Sequence, residues 1–222
     1  SLFSSIVRRP AGQLPIRIIE GAGDTLVYTP SMSPAGLIPD SALWDETAIV
    51  NLIDRATQDV FCQVLAYSPI ARDKSYYPVL NEALARAARR GVKVHMIVSD
   101  WSIDHPTIDS LKSLAQEPNI EIRFSSIPDW SGGYVPFARG EHCKYLVIDS
   151  SNCWIGTSNW EKSYFYSTRN VGVVVANRKI TGILRAVFLR DWGGPYTEQS
   201  KAGEECTPRE HGARRAAGRA IR

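Results

Sequence analysis

Apolar and polar positions along this chain alternate between two periods. From Leu43 to Arg55 the positions Leu43, Thr47, Val50, Leu52, Ile53 and Ala56 gather on one side, which predicts a helix. Asp59 to Tyr67 contains a β-favouring apolar run and predicts a strand. Tyr76 to Arg90 places Val79, Leu80, Ala83, Leu84 and Ala87 on one face, so it predicts an amphipathic helix, with Gly91 as its C-terminal cap. Val92 to Val98 predicts the next strand. This β-α-β order predicts two parallel strands joined by a right-handed crossover.

The alternation continues with a short helix over Pro106 to Gln116 and a strand over Ile120 to Phe124. A long loop, Ser125 to Gly140, separates that strand from apolar runs at Cys143 to Ile148 and Cys153 to Ile155. A strand over Asn170 to Ala176 and a closing amphipathic helix over Ile180 to Trp192 complete the set, and Gly193-Gly194-Pro195 stops the helix. The pattern predicts an α/β fold with a mixed, largely parallel central sheet flanked by helices on both faces. Residues 1–40 are rich in Gly, Pro and Ser, with only short strand-like pieces at Ile16 to Ile19 and Thr25 to Tyr28, and read as a connector. Residues 41–197 form the predicted domain. Residues 198–222 read as a disordered basic tail.

Composition changes this picture little. A chain of 222 residues, 44% hydrophobic, is long enough for one α/β domain with its own core. No apolar run reaches bilayer-spanning length. The formal net charge of +3 does not by itself argue nucleic-acid binding, because Arg209, Arg214, Arg215, Arg219 and Arg222 in the tail account for the excess. The four cysteines, Cys62, Cys143, Cys153 and Cys206, form no Cys-x-x-Cys pair and no Cys/His cluster, so neither a structural zinc nor any other metal or cofactor is expected.

Chemistry concentrates between Glu141 and Trp160. His142, Lys144 and Asp149 stand in a His-x-Lys-x-x-x-x-Asp spacing, followed by Gly156-Thr157-Ser158-Asn159. Residues two apart on a strand share a face, so His142 and Lys144 point the same way. Asp149, at an odd offset, faces the other side and reads as a brace for the scaffold. Thr157, Ser158 and Asn159 come on a small-residue turn and offer hydrogen bonds suited to oxyanion oxygens. In the long loop, Trp130 and Tyr134 are candidates to stack on a base, against the blander role of pinning the loop to the body.

These residues carry a resemblance. His142, Lys144 and Asp149, with the G-T-S-N run at 156–159, resemble the HKD motif of the phospholipase D superfamily. The longer run G-T-S-N-W-E-K-S-Y-F and the F-L-R-D-W at Phe188 to Trp192 resemble the second half of the phospholipase D3/D4-like branch, whose animal members are 5′ exonucleases on single-stranded nucleic acid. The likeness runs from about Pro39 to Tyr196 and implies a phospholipase D-like half domain. It implies a metal-independent phosphodiesterase working through a phosphohistidine, on single-stranded nucleic acid in preference to phospholipid. The implied catalytic residues are His142, Lys144, Asp149 and Asn159, with His142 as nucleophile or general acid and Lys144 and Asn159 on the phosphoryl oxygens. Thr157, Ser158, Trp130 and Tyr134 are the implied substrate contacts.

Two departures matter. The superfamily's chemistry uses two histidines from two HKD motifs, and this chain has one His-x-Lys; His95 and His105 read as structural and His211 lies in the tail. A second half is therefore expected, from an identical subunit or from a missing N-terminal half, the latter favoured. Many members also carry Asn-x-Glu after the turn, the Glu orienting a histidine; here Asn170-Val171-Gly172 puts glycine there. Glu141 and Glu161 are near in sequence and read as solvating. The competing class is a non-catalytic half that binds phosphate without turning it over.

Overall fold

The crossovers predicted from the alternating pattern build the middle of one sheet. The computed structural model describes residues 16–19, 25–133, 135, 138 and 140–199. Strands β1 (Ile16–Ile19) and β2 (Thr25–Ser33) precede helix α1 (Asp45–Arg55). Then come β3 (Asp59–Val64), β4 (Tyr67–Ser68), α2 (Val79–Arg89), β5 (Lys93–Ser99), α3 (Thr107–Leu114) and β6 (Ile120–Ser125). The second half holds β7 (Lys144–Ile148), β8 (Asn152–Gly156), β9 (Trp160–Glu161), α4 (Lys162–Tyr166), β10 (Asn170–Ala176), α5 (Arg178–Trp192) and β11 (Thr197–Gln199). Helix α2 stops where Gly91 takes φ +92°, a left-handed conformation that suits glycine.

Among the described residues the main sheet has nine strands in the order β1-β2-β10-β8-β7-β3-β5-β6-β11. Its parallel part is narrower than the pattern predicted. Only β3, β5 and β6 run parallel, because only there do helical crossovers join strands that are neighbours in the sheet. The other neighbours pair antiparallel: β7 joins β8 by a tight turn, and β2 lies against β10 with Asn170 opposite Ser33. The strand predicted as a short piece at Thr25 to Tyr28 extends to Ser33 and belongs to the sheet, so the residues that share the fold begin well before 41. The tail predicted from 198 starts later: Glu198 and Gln199 belong to β11, which pairs with β6, and residues from 200 onward lie outside the described residues.

Both faces are covered. On one, α1, α2 and α3 bury Ile49, Ile53, Leu80, Leu84 and Leu111 against Val60, Cys62, Met96, Leu146 and Trp154. On the other, α5 packs Phe188 against Phe61, Ile97, Tyr145, Val147 and Val175. Successive residues of β7 thus feed opposite cores, and all five are buried. His95, read as structural, stacks on Phe61 at 5.3 Å and meets Trp192 edge-on at 5.1 Å. Cys62, Cys143 and Cys153 are free thiols.

Candidate active site

β7 sets the site. It runs antiparallel to β3, with Lys144 opposite Val64, the last residue of β3. It also runs antiparallel to β8, with Tyr145 opposite Ile155. The start of β7, the end of β8 and the carboxyl ends of β3 and β5 therefore share one edge of the sheet, the edge where open α/β sheets bind ligands. Sequence neighbours His142 and Lys144 and the 157–159 turn meet there through the fold.

His142 is exposed, whereas Lys144 is 8% exposed at the buried end of β7. The Lys144 ammonium donates to the His142 carbonyl oxygen at 3.1 Å. Burial pulls the Lys144 pKa below the ordinary lysine value, partly offset by the Cys143 and Glu141 charges. The site thus keeps a desolvated cation beside an accessible imidazole, which strengthens its pull on a phosphoryl oxygen.

The turn sorts its three polar side chains. Asn159 is buried at 4% exposure; its amide nitrogen donates to the Tyr164 hydroxyl at 2.9 Å, and its carbonyl oxygen has no hydrogen-bond partner. Thr157 is exposed, and its hydroxyl donates to Asn170 Oδ1 at 3.1 Å while the Val171 N–H donates to it at 3.2 Å. Ser158, expected to touch substrate, is fully buried and donates to Asp45 Oδ2 at 2.6 Å. Its hydroxyl is drawn inward to the buried Asp45 carboxylate, which needs donors to offset its burial.

Asp45 is a residue the sequence reading passed over. It opens α1, where the helix dipole favours an acid, and it is fully buried. Its Oδ1 accepts from Ser31 Oγ at 2.5 Å and from Trp154 Nε1 at 2.8 Å. Gly172 closes this cluster: a Cβ there would stand 2.7 Å from Trp154 Nε1, 2.8 Å from Ser31 Oγ and 3.1 Å from the Ile155 carbonyl oxygen. Two donors to Asp45, Trp154 Nε1 and Ser31 Oγ, thus leave no room for a side chain at 172.

Glu141 is not the solvating residue its position suggested. It is 8% exposed; its carboxylate accepts from the Cys143 N–H at 3.1 Å and from Gln63 Nε2 at 2.9 Å. Gln63 also donates to Asp191 at 3.1 Å and accepts from the Tyr145 hydroxyl. One amide thus bridges two carboxylates beneath the residue that precedes His142. The signal was a lone glutamine in the apolar strand β3.

Asp149 sits at the far end of β7 from His142, roughly 20 Å away at about 3.3 Å per residue. Its carboxylate accepts from the backbone N–H groups of Thr57, Gln58 and Asp59 and from the Thr57 hydroxyl at 2.9 Å. Burial alone would raise its pKa; those donors outweigh burial and hold it below the usual value. Asp149 adopts φ +52°, a conformation that Asp tolerates better than most residues. Trp130 is 57% exposed in the long loop, its ring laid over Gly132, and it lines a cavity of about 200 Å³ with Asp129, Val135 and Ala138. Tyr134 lies outside the described residues. Among the described residues no group of His, Cys, Asp and Glu is placed to hold a metal ion, and no helix is long and apolar enough to cross a membrane.

The fold is a mixed α/β sheet that sets His142-x-Lys144 at the start of β7 and the G-T-S-N turn at the end of β8, at the same end of the sheet. The family model described as "Cardiolipin synthase, PLD-like domain" matches residues 49–192, and the chain belongs to the phospholipase D superfamily. It is 34% identical over 173 residues to "Phospholipase D Z" of Dictyostelium discoideum, covering 75% of this chain and 41% of that protein. It is 32% identical over 208 residues to "5'-3' exonuclease PLD3" of Bos taurus, covering 87% of this chain and 42% of that protein. The chain thus spans about two fifths of the length of these curated relatives. Among solved structures, the phospholipase D family member Nuc from Salmonella typhimurium matches with TM-score 0.62 and 17% identity, covering 79% of this chain and 99% of that one.

Proposed function

We propose that this chain is one half of a metal-independent phosphodiesterase that hydrolyses single-stranded nucleic acid through a phosphohistidine. The observation that carries this reading is the pairing at the start of β7: an exposed imidazole at His142 beside the buried ammonium of Lys144. A diester phosphorus resists attack because its oxygens are negative. Lys144 offsets that charge as it grows on the non-bridging oxygens, and Asn159, on the adjoining turn, has a second amide hydrogen available for the same purpose. His142 attacks phosphorus, the bond to the leaving oxygen breaks, and that oxygen takes a proton from a second histidine. The second histidine, now deprotonated, takes a proton from a water molecule that attacks phosphorus; the P–N bond breaks, and both histidines return to their starting states.

The second histidine comes from a second His-x-Lys half, either another copy of this chain or another segment of a longer one. The single His-x-Lys here and the two-fifths coverage of the relatives support that division. The relatives divide between phospholipase D and exonuclease names, and the choice of nucleic acid rests on the 5'-3' exonuclease likeness extending over 87% of this chain, against 75% for "Phospholipase D Z". In this reading Asp149 and Ser158 hold the scaffold and do not touch substrate. The test is hydrolysis of a single-stranded oligonucleotide in chelator by wild type and His142→Ala, with phosphatidylcholine vesicles as the competing substrate. Loss of oligonucleotide cleavage in a folded His142→Ala protein is expected; faster turnover of the vesicles would reverse the choice of substrate.

A further inference from the structure

Beside the 157–159 turn, a cavity of about 350 Å³ opens between the ends of β2 and β10, lined by Met32, Ser33, Thr157, Arg169, Asn170 and Val171. Its chemistry is divided. Arg169 is exposed; one guanidinium nitrogen donates to the Leu37 carbonyl oxygen, and Arg169 makes no ion pair among the described residues. Val171 is 62% exposed in the middle of the sheet's antiparallel part, and Met32 lies opposite it on β2. The polar floor is already satisfied. Asn170 accepts from Thr157 and donates to the carbonyl oxygens of Tyr164 and Thr168. Ser33 donates to the Tyr164 carbonyl oxygen at 2.8 Å. What remains for a ligand is a guanidinium fork beside an apolar wall.

We propose that this cavity is a nucleotide subsite, seating the residue next to the scissile phosphodiester with its neighbouring phosphate on Arg169 and its base or sugar against Val171 and Met32. This rests on the nuclease reading above. The volume lies at the low end of small-ligand pockets and suits one nucleotide. Arginine offers two parallel N–H donors to a phosphate, and an apolar face beside it accepts any base, so the subsite reads backbone and shape and tolerates sequence. Thr157 belongs both to this cavity and to the turn that ends in Asn159, so a nucleotide seated here is continuous with a phosphodiester at His142. A phosphatidylcholine headgroup fits poorly, because among the described residues the lining has neither a carboxylate nor an aromatic ring for its cation.

Binding of a 3′-labelled oligothymidylate, followed by fluorescence anisotropy in chelator, tests this. The measurement is made in a His142→Ala background, so binding is read whether or not the chain turns over. Arg169→Gln weakens the oligonucleotide about tenfold and lowers the salt slope by about one, while binding of inorganic phosphate, read by phosphorus NMR, stays unchanged. Val171→Asp, which places a negative charge on the opposite wall, gives a comparable loss and stands in if Arg169→Gln melts early. Arg169→Lys falls between, because it keeps the charge without the fork. Unchanged oligonucleotide affinity in both variants, no oligonucleotide binding at all, or a loss confined to phosphatidylcholine vesicles overturns the subsite. The tenfold loss in a chain whose wild type hydrolyses nothing, either alone or joined to a second His-x-Lys half, keeps the subsite and sinks the catalytic reading.

Discussion

Ser158 and Asp45 lie 113 positions apart and are joined by a 2.6 Å hydrogen bond from the serine hydroxyl to the buried carboxylate. That bond ties the turn ending in Asn159 to the first residue of α1. Ser31 and Trp154 donate to the other carboxylate oxygen, so one acid anchors β2, β8 and the turn at once.

Removing that anchor is expected to be severe. Asp45→Ala strands the Ser31 and Ser158 hydroxyls in the core, while the Trp154 N–H keeps Ser31 Oγ at 3.1 Å; at about 1–3 kcal/mol for each unsatisfied hydroxyl, we expect a loss of at least about 2 kcal/mol. Chemical denaturation of wild type and variant measures it. A loss below about 1 kcal/mol would mean that the two hydroxyls find other partners.

Gly172 makes the companion prediction. A methyl group at 172 would overlap Trp154 Nε1 and Ser31 Oγ, so Gly172→Ala is expected to destabilise by about 1–3 kcal/mol. Gly172→Glu, which restores the superfamily's usual acid, is expected to lower stability further and leave activity unimproved. Thermal melting and turnover read the two effects separately.

Asp149 separates bracing from catalysis. Asp149→Asn keeps the left-handed backbone but loses charge-assisted bonds to residues 57–59, and is expected to lower stability by about 2 kcal/mol at neutral pH with turnover of the folded protein unchanged. The folded pKa is depressed, so the carboxylate's contribution is complete above its unfolded value, about 3.9, and fades as pH falls through the folded one. The gap between wild type and variant should therefore close in acid. A gap independent of pH would show that charge is not what the brace uses.

Lys144 predicts the alkaline limb. Its folded pKa is lowered by burial, so the ammonium loses its proton below the ordinary lysine range of about 10.4. Phosphate binding is expected to weaken as pH rises through that lowered value, and Lys144→Met should remove the limb along with most of the affinity. Phosphorus NMR titration against pH checks both.

The hydrophobic pattern made most helices and strands legible, because amphipathic periods in α2 and α5 and the apolar runs of β5 and β7 are local properties. The His-x-Lys spacing was visible as a motif, but strand alternation does not set its geometry: β7 begins at Lys144 and His142 precedes it, exposed where Lys144 is buried. The share of parallel strands was not legible, since which strands become neighbours depends on long-range pairing such as β2 with β10. Asp45 and Glu141 were missed because an acid at a helix start or beside a strand reads as solvated. Only the fold brings Ser31, Trp154 and Ser158 to the first and Gln63 to the second. The burial of Ser158 depends on the Asp45 carboxylate that receives its hydroxyl, a partner 113 positions away that no local pattern reveals.

The most direct test of the central claim is hydrolysis of a chromogenic phosphodiester in chelator by this chain, over a wide concentration range and joined to a second His-x-Lys half. The account predicts turnover that either rises per molecule with concentration, as two copies meet, or is constant once the second half is attached. In either case His142→Ala is expected to reduce it at least about a thousandfold without unfolding the protein. Undiminished hydrolysis by His142→Ala, or none from wild type in either form, would contradict it.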